Sequence, residues 1–287
     1  MTTSLSSVST IHRKLNAYPE LAINVDTKHE VAWCYMNGSA RPCFTEALLD
    51  NLITWGAQVR AQHLEMGIRY HVTASAIPGV YNLGGDLALF RGCIVNRDTN
   101  GLLTYGKKCL DALYNNISHF NSSITTIALV QGDALGGGFE AALSSDLIIA
   151  EQGTHLGFPE ILFNLIPGMG AYNLLSRRLD PARAERIILG GHRYTAEALH
   201  EMGVVDILAP KGGGETAVYE YIGRENRAKN GFRALRQVRD LLRPISYEEL
   251  WRVLEIWVET ALRLEGRDLR MMERLIRRQV HSHALSA

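Results

Sequence analysis

Three consecutive glycines, Gly136-Gly137-Gly138, constrain the folding of this chain more than any other feature. The apolar, β-branched run from Ile124 to Val130 leads into them through Gln131-Gly132-Asp133-Ala134-Leu135, and an apolar stretch with helical character, Phe139 to Leu143, follows. That order predicts a strand, a tight turn and a helix start. Glycines at such a turn let a ligand approach the main chain, and the first N–H groups of a helix have no intrahelical partner, so they can face a developing negative charge. The turn is suited to holding an oxyanion.

Two carboxylates flank this feature: Glu140 just after the glycines, and Glu160 after Phe158-Pro159. Either one alone is readily explained as a solvated first-turn residue that complements the helix dipole. A second glycine turn upstream, Gly84-Gly85-Asp86, follows the apolar strand Ile68 to Ala74 and repeats the central pattern. Two acids near two such turns point to acid–base chemistry. Gly136-Gly137-Gly138 lacks the Gly-Lys-Ser/Thr ending of a phosphate loop, and Gly168-Met169-Gly170 lacks the third glycine of a dinucleotide fingerprint, so nucleotide binding is disfavoured.

The 287 residues, 46% hydrophobic and 21% charged, suit one large domain or a domain with an appendage. Met1 to about Tyr18 reads as a polar arm without the apolar core of a secretory signal. Leu21–Val25 and Val31–Met36 read as a hairpin, and Leu48, Leu52, Trp55 and Val59 mark an amphipathic helix from Thr45 to near Gly67. A helix from Leu102 to Phe120 before the central strand implies a parallel crossover. Asp180-Pro181 and Thr195 start two further helices, and Val204 to Leu208 is a strand. After Lys211-Gly212-Gly213-Gly214 the pattern is helical only, over about 217–227, 232–242, 247–264 and 268–281. The expected division is an arm (1–20), an α/β core (21–210) and a helical lid or oligomerisation region (211–287).

Thirty basic and thirty acidic residues leave no net charge to recruit nucleic acid or an anionic membrane, and no run is long enough to span one. Cys34, Cys43, Cys93 and Cys109 show neither C-x-x-C spacing nor paired histidines. They read as small buried hydrophobes in a reducing compartment, which predicts a cytoplasmic protein without a metal site. His155 and Asp86 read as structural, the latter as a helix-start residue.

The stretches Gln131 to Glu140, Phe158-Pro159-Glu160-Ile161-Leu162, Ile166-Pro167-Gly168-Met169-Gly170 and Tyr81-Asn82-Leu83-Gly84-Gly85-Asp86-Leu87 resemble the crotonase (enoyl-CoA hydratase) superfamily over about Leu21 to Leu208. The wording Tyr81 to Phe90 and Gly168-Met169-Gly170-Ala171-Tyr172 is similar to the bacterial diffusible-signal-factor synthases, which make cis-2-unsaturated fatty acids as cell-to-cell signals. The resemblance implies an α/β crotonase-like fold, a ββα spiral core with a C-terminal α-helical region. It places oxyanion-hole donors on the backbone N–H groups of Gly85 and Gly137, and the two catalytic glutamates on Glu140 and Glu160.

For a lipid tail the candidates are Met169, Trp257 and Leu275 as tunnel wall, with Leu135 and Gly136 beside the central turn; a Trp spaced with Leu254 and Leu264 is also the mark of a core or interface. Asn164 stands where hydratases usually have glycine, and Ser75 to Val80 lacks the basic residues that hydratases often place near the coenzyme. The second departure leaves room for an acyl carrier protein instead of CoA.

The reaction so implied is dehydration of a 3-hydroxyacyl thioester followed by hydrolysis to a free 2-enoic acid. No cofactor is expected beyond the phosphopantetheine of carrier protein or CoA, which arrives as substrate. The alternatives are an ordinary enoyl-CoA hydratase of fatty-acid breakdown, and a crotonase-like binding or regulatory protein. Implied partners are an acyl carrier protein, the receiver domain of a sensor histidine kinase, and further copies of the chain as a trimer or dimer of trimers.

Overall fold

Each pass of the chain lays one strand in a large sheet, a second in a smaller sheet, and then a helix. In the computed structural model, which describes residues 12–15, 17–37 and 41–284, the large sheet opens with β1 (His12–Leu15), β2 (Leu21–Asp26) and β3 (Val31–Met36), paired antiparallel. The expected hairpin is β2–β3, and Asp26 Oδ1 closes its turn by accepting the N–H groups of Lys28 and His29. Within the segment read as a polar arm, β1 forms an edge strand on β2; residues 1–11 and 16 of that arm lie outside the described residues.

After α1 (Glu46–Gln62), N-capped by Thr45, the repeat begins. β4 (Tyr70–Ser75) runs parallel to β3, β5 (Val80–Asn82) starts the small sheet, and α2 (Leu87–Val95) and α3 (Thr99–Ile117) follow. β6 (Thr125–Val130) returns beside β4, β7 (Asp133–Leu135) pairs parallel with β5, and α4 (Gly137–Leu143) follows. β8 (Leu147–Glu151) and β9 (His155–Gly157) repeat the step before α5 (Ala171–Arg178) and α6 (Pro181–Gly190). β10 (Arg193–Thr195), α7 (Ala196–Glu201) and β11 (Ile207–Ala209) complete the sheets, ordered β1-β2-β3-β4-β6-β8-β11 and β10-β9-β7-β5. The parallel crossover expected before the central strand is the β4–β6 pairing.

Two boundaries differ from the sequence reading. α3 starts at Thr99, not Leu102, because Asp98 Oδ1 accepts the Gly101 N–H at 2.8 Å and caps it. It stops at Ile117, not Phe120, because His119, Phe120 and Asn121 take positive φ, turning Phe120 into the core against His71.

The helices after residue 211 do not share one role. α8 (Gly214–Arg227) covers the outer face of the large sheet, setting Ala217, Val218 and Ile222 with Trp33, Val72, Ile127 and Leu129 in a second core cluster. α9 (Lys229–Leu242) buries no residue and is tied down by charge, Arg236 to Glu225 at 2.9 Å and Arg239 to Asp146. α10 (Tyr247–Ala261) packs on α3, and α11 (Gly266–Ala284) on α2 and the short 3-10 turn Glu160–Phe163. Those last two helices close over the space between the sheets and the glycine turns.

Candidate active site

The three glycines have different tasks. Gly136 has φ +54°, which L side chains rarely adopt, and a Cβ on it would meet Glu160 Oε1. A Cβ on Gly138 would meet the Asn82 carbonyl of β5, so this glycine lets α4 pack on the small sheet. Gly137, between them, is the first residue of α4. Its N–H has no acceptor among the described residues, and neither has that of Gly85. The two turns touch: a Cβ on Gly84 would lie 3.0 Å from Gly137 N, and one on Gly137 3.5 Å from Gly85 N. Two unspent donors thus sit side by side where two strands of the small sheet end.

The second turn is braced on all sides. Asn82 Oδ1 accepts the Gly84 N–H at 2.8 Å, and the Gly84 carbonyl accepts the Phe44 N–H at 2.8 Å. Asp86 N-caps α2 by accepting from Ala88 and Leu89, as the sequence reading expected, and is gripped by Arg41 at 2.8 Å. The Asp86 N–H donates to Tyr105 Oη at 3.0 Å.

Glu140, 1% exposed on α4, turns Oε1 to the N–H groups of Met169 at 2.8 Å and Ala171 at 3.0 Å. Burial pushes its carboxyl up to about 7, against the two N–H bonds that favour the charged form. Glu160 opens the 3-10 turn, its Oε2 buried without a hydrogen-bond partner among the described residues. Burial first, and then the charge of Glu140, push its carboxyl up to about 8. Both shifts favour the protonated form near neutral pH, and the two carboxyls titrate as a pair.

Both acids, both donor glycines, and Leu135, Gly136, Met169, Trp257 and Leu275 line one cavity of about 250 Å³. The Met169 side chain lies against Gly137. Trp257, 5% exposed, comes from α10, lies on Gly168 and meets Phe90 edge-on at 4.9 Å. It serves core and cavity wall at once. A smaller cavity of about 50 Å³ adjoins, sharing Cys109, Gly137 and Met169 with the first and extending to Trp55 and Phe120.

The sequence reading missed Phe90, Tyr105, Arg193 and Gln279 of the main cavity. Gln279 left a legible signal: a lone polar residue on the stripe of Met272 and Leu275. His155 stays outside the cavity lining, 3.4 Å from Asp133, and the four cysteines are free. No group of metal-ligating side chains occurs among the described residues.

Residues 52–256 match the family model described as enoyl-CoA hydratase/isomerase. The chain belongs to the enoyl-CoA hydratase/isomerase family. It is 35% identical over 100 residues to a mevalonyl-coenzyme A hydratase of Beauveria bassiana, 35% of this chain and 36% of that protein. It is 31% identical over 170 residues to enoyl-CoA hydratase domain-containing protein 2, mitochondrial, of Homo sapiens, 58% of this chain and 54% of that one. These alignments span between a third and somewhat over half of the curated relatives' length.

Among solved structures, an enoyl-CoA hydratase from Bacillus halodurans superposes with a TM-score of 0.75 at 18% identity, covering 89% of this chain and 99% of that one. Pseudomonas aeruginosa DspI does so with 0.69 at 20% identity, covering 92% and 96%. These likenesses establish the crotonase-like spiral. As a member of the enoyl-CoA hydratase/isomerase family, the chain departs from the resemblance at Asn164, which occupies the left-handed region, φ 62° and ψ 34°, at the end of the 3-10 turn. Asparagine is among the few side chains that tolerate this conformation, so the backbone path behind Glu160 is kept without glycine.

Proposed function

We propose that this chain converts a 3-hydroxyacyl thioester to the 2-enoyl thioester and then hydrolyses it to a free 2-enoic acid, a cis-2-unsaturated fatty-acid signal. The observation that carries the reading is a pair of carboxyls, Glu140 buried and Glu160 with its Oε2 buried, shifted to about 7 and 8 and sharing one cavity with the unspent N–H groups of Gly85 and Gly137. An α-proton beside a thioester is too weakly acidic for an unaided carboxylate. Two donors on the carbonyl oxygen stabilise the enolate-like charge, and each is worth about 3 kcal/mol in comparable sites.

In the singly protonated pair, one glutamate takes the α-proton while the other protonates the departing 3-hydroxyl, which leaves as water. In the second step a carboxylate draws a proton from water as it adds to the thioester carbonyl carbon, and the same N–H groups hold the tetrahedral oxyanion. Collapse breaks the C–S bond, and the thiolate leaves with a proton. The apolar wall of Leu135, Trp257 and Leu275, and the smaller cavity beyond Met169, offer room for an alkyl tail.

An acyl carrier protein is the favoured donor, since Ser75 to Val80 carries no basic residue to meet coenzyme phosphates. An oligomer such as a trimer is supported by α9, where Leu235, Leu241 and Leu242 are each more than 70% exposed; light scattering on the purified protein tests it. A contact with the receiver domain of a sensor kinase rests on the sequence resemblance, and a pull-down without such a contact removes it. No helix among the described residues is long and apolar enough to cross a membrane; activity recovered only in a membrane fraction would count against the cytoplasmic placement.

Mass spectrometry after feeding a medium-chain 3-hydroxyacyl thioester, once on carrier protein and once on CoA, tests the reaction. Free cis-2-enoic acid, preferentially from the carrier protein, supports it. A trans-enoyl thioester in equilibrium with substrate and no free acid gives the second reading, a reversible enoyl-CoA hydratase, which the family membership favours. Glu140→Gln and Glu160→Gln proteins that lose dehydration yet keep full thioesterase activity would argue against one shared site.

A further inference from the structure

Gln279 lies on α11, four residues beyond Leu275 on the stripe facing the cavity, and is 4% exposed. A buried carboxamide is costly unless both its halves find partners. Here one half does: Nε2 donates to the Leu83 carbonyl at 3.1 Å and to the Gly85 carbonyl at 3.2 Å. The other half, Oε1, is buried without a partner among the described residues, on a residue that lines the cavity of Glu140 and Glu160.

The two carbonyls so held belong to the peptide planes on either side of an oxyanion donor. The Gly85 N–H sits in the Gly84–Gly85 peptide, whose carbonyl accepts from Phe44. The preceding plane, Leu83–Gly84, is held at its carbonyl by Gln279, and the following plane, Gly85–Asp86, by Gln279 at its carbonyl and Tyr105 at its N–H. Two glycines in series leave four soft dihedrals without side chains to restrain them. A donor aids catalysis only when it is aimed before charge develops, so the grip on both flanking planes has a direct effect on the chemistry.

We propose that Gln279 is a positioning residue that aims the Gly85 N–H, and that its free carboxamide oxygen accepts a hydrogen bond from an N–H or O–H of the bound acyl thioester. This role rests on the reading of the site as one for acyl thioesters. A glutamine kept only for packing would have no reason to bury an acceptor without a partner beside the cavity. The donors such a substrate offers are the 3-hydroxyl and the amides of its pantetheine arm.

The test uses the full-length protein and a 2,4-hexadienoyl thioester of CoA or carrier protein, whose near-ultraviolet absorption moves to the red when N–H donors polarise its carbonyl. This readout needs no turnover. In Gln279→Met, of similar length but without hydrogen bonds, the red shift is expected to shrink. In turnover of the 3-hydroxyacyl thioester, kcat should fall about 10- to 100-fold with a smaller change in KM and unchanged limbs of the pH profile. Affinity should drop for the 3-hydroxyacyl thioester alone if the hydroxyl is the donor to Oε1, and equally for the dienoyl thioester if a pantetheine amide is.

Unchanged affinity for both thioesters overturns the acceptor role, and a wild-type red shift with wild-type kcat overturns the positioning role. Should Gln279→Met fail to fold, Gln279→Asn keeps a polar group in place but falls one methylene short of the carbonyls, with the same expected losses. A wild-type protein that binds neither thioester, or binds the dienoyl one without a red shift, defeats the acyl-thioester reading itself and this role with it.

Discussion

Glu140 Oε1 accepts the backbone N–H of Met169 at 2.8 Å, across 29 residues of sequence. The bond ties the first turn of α4 to the loop before α5, and with the Ala171 N–H it holds one acid of the pair in place, while Oε2 of the other has no partner among the described residues. This asymmetry of environment separates the two carboxyls.

Glu140→Gln keeps an amide oxygen that can accept both N–H groups, so the fold should survive while dehydration drops by about 10²- to 10⁴-fold. Because the charge of Glu140 helps to raise Glu160, its removal should bring the Glu160 carboxyl down from about 8, though burial keeps it above the ordinary 4.5. Infrared titration of the carboxyl band reads this directly. A Glu160 that titrates as in the wild type would contradict the coupling.

The dependence of kcat/KM on pH should be bell-shaped, with limbs near 7 and 8 that belong to the pair and not to either residue. Below the lower limb both groups are protonated and no base remains; above the upper limb no acid remains. A flat profile from pH 6 to 9 would rule out the singly protonated pair as the working form.

Stability should fall as pH rises from the ordinary carboxyl value of 4.5 to about 8. Over that window the folded state binds more protons than the unfolded state, so each rise in pH favours unfolding, and the contribution present below 4.5 is lost through the folded values. Glu160→Gln should flatten this slope and gain about 1–3 kcal/mol at pH 8. Denaturant titrations at several pH values measure it, and a variant with the wild-type slope would deny that Glu160 is the source.

Gly136→Ala should cost about 1–3 kcal/mol, since φ +54° disfavours any side chain, and should also push the Glu160 carboxylate out of place. Urea unfolding and turnover together are diagnostic. A variant with normal stability and activity would show that the turn can be rebuilt without glycine.

Trp257→Ala removes the ring packed on Phe90 and Gly168 and should cost about 3–5 kcal/mol. The space opened in the cavity wall should shift the preferred acyl chain to longer or bulkier tails. Turnover across a series of chain lengths checks it, and an unchanged profile would make Trp257 a core residue alone.

Local rules made much of this molecule legible beforehand. Asp86, Asp180 and Thr195 do cap α2, α6 and α7, because a cap is decided by a side chain and an N–H two or three residues away. The hairpin of β2 and β3 needed only alternation and a turn. The three-residue strands β5, β7, β9 and β10 were invisible, since three residues are too few for a period to show. The second sheet was therefore not foreseen from pattern alone.

By itself the sequence determined the strand, glycine turn and helix at Gly136 to Gly138, and the order of the repeating units, because these depend on backbone sterics and on residues close in the chain. The tertiary structure alone decided that the turns of Gly84 and Gly137 touch, that Trp257, Leu275 and Gln279 close over them from α10 and α11, and that burial raises both carboxyls above the ordinary value. Burial and charge coupling are sums over neighbours that lie far apart in the chain, and they exist only once folding has gathered those neighbours into one low-dielectric pocket.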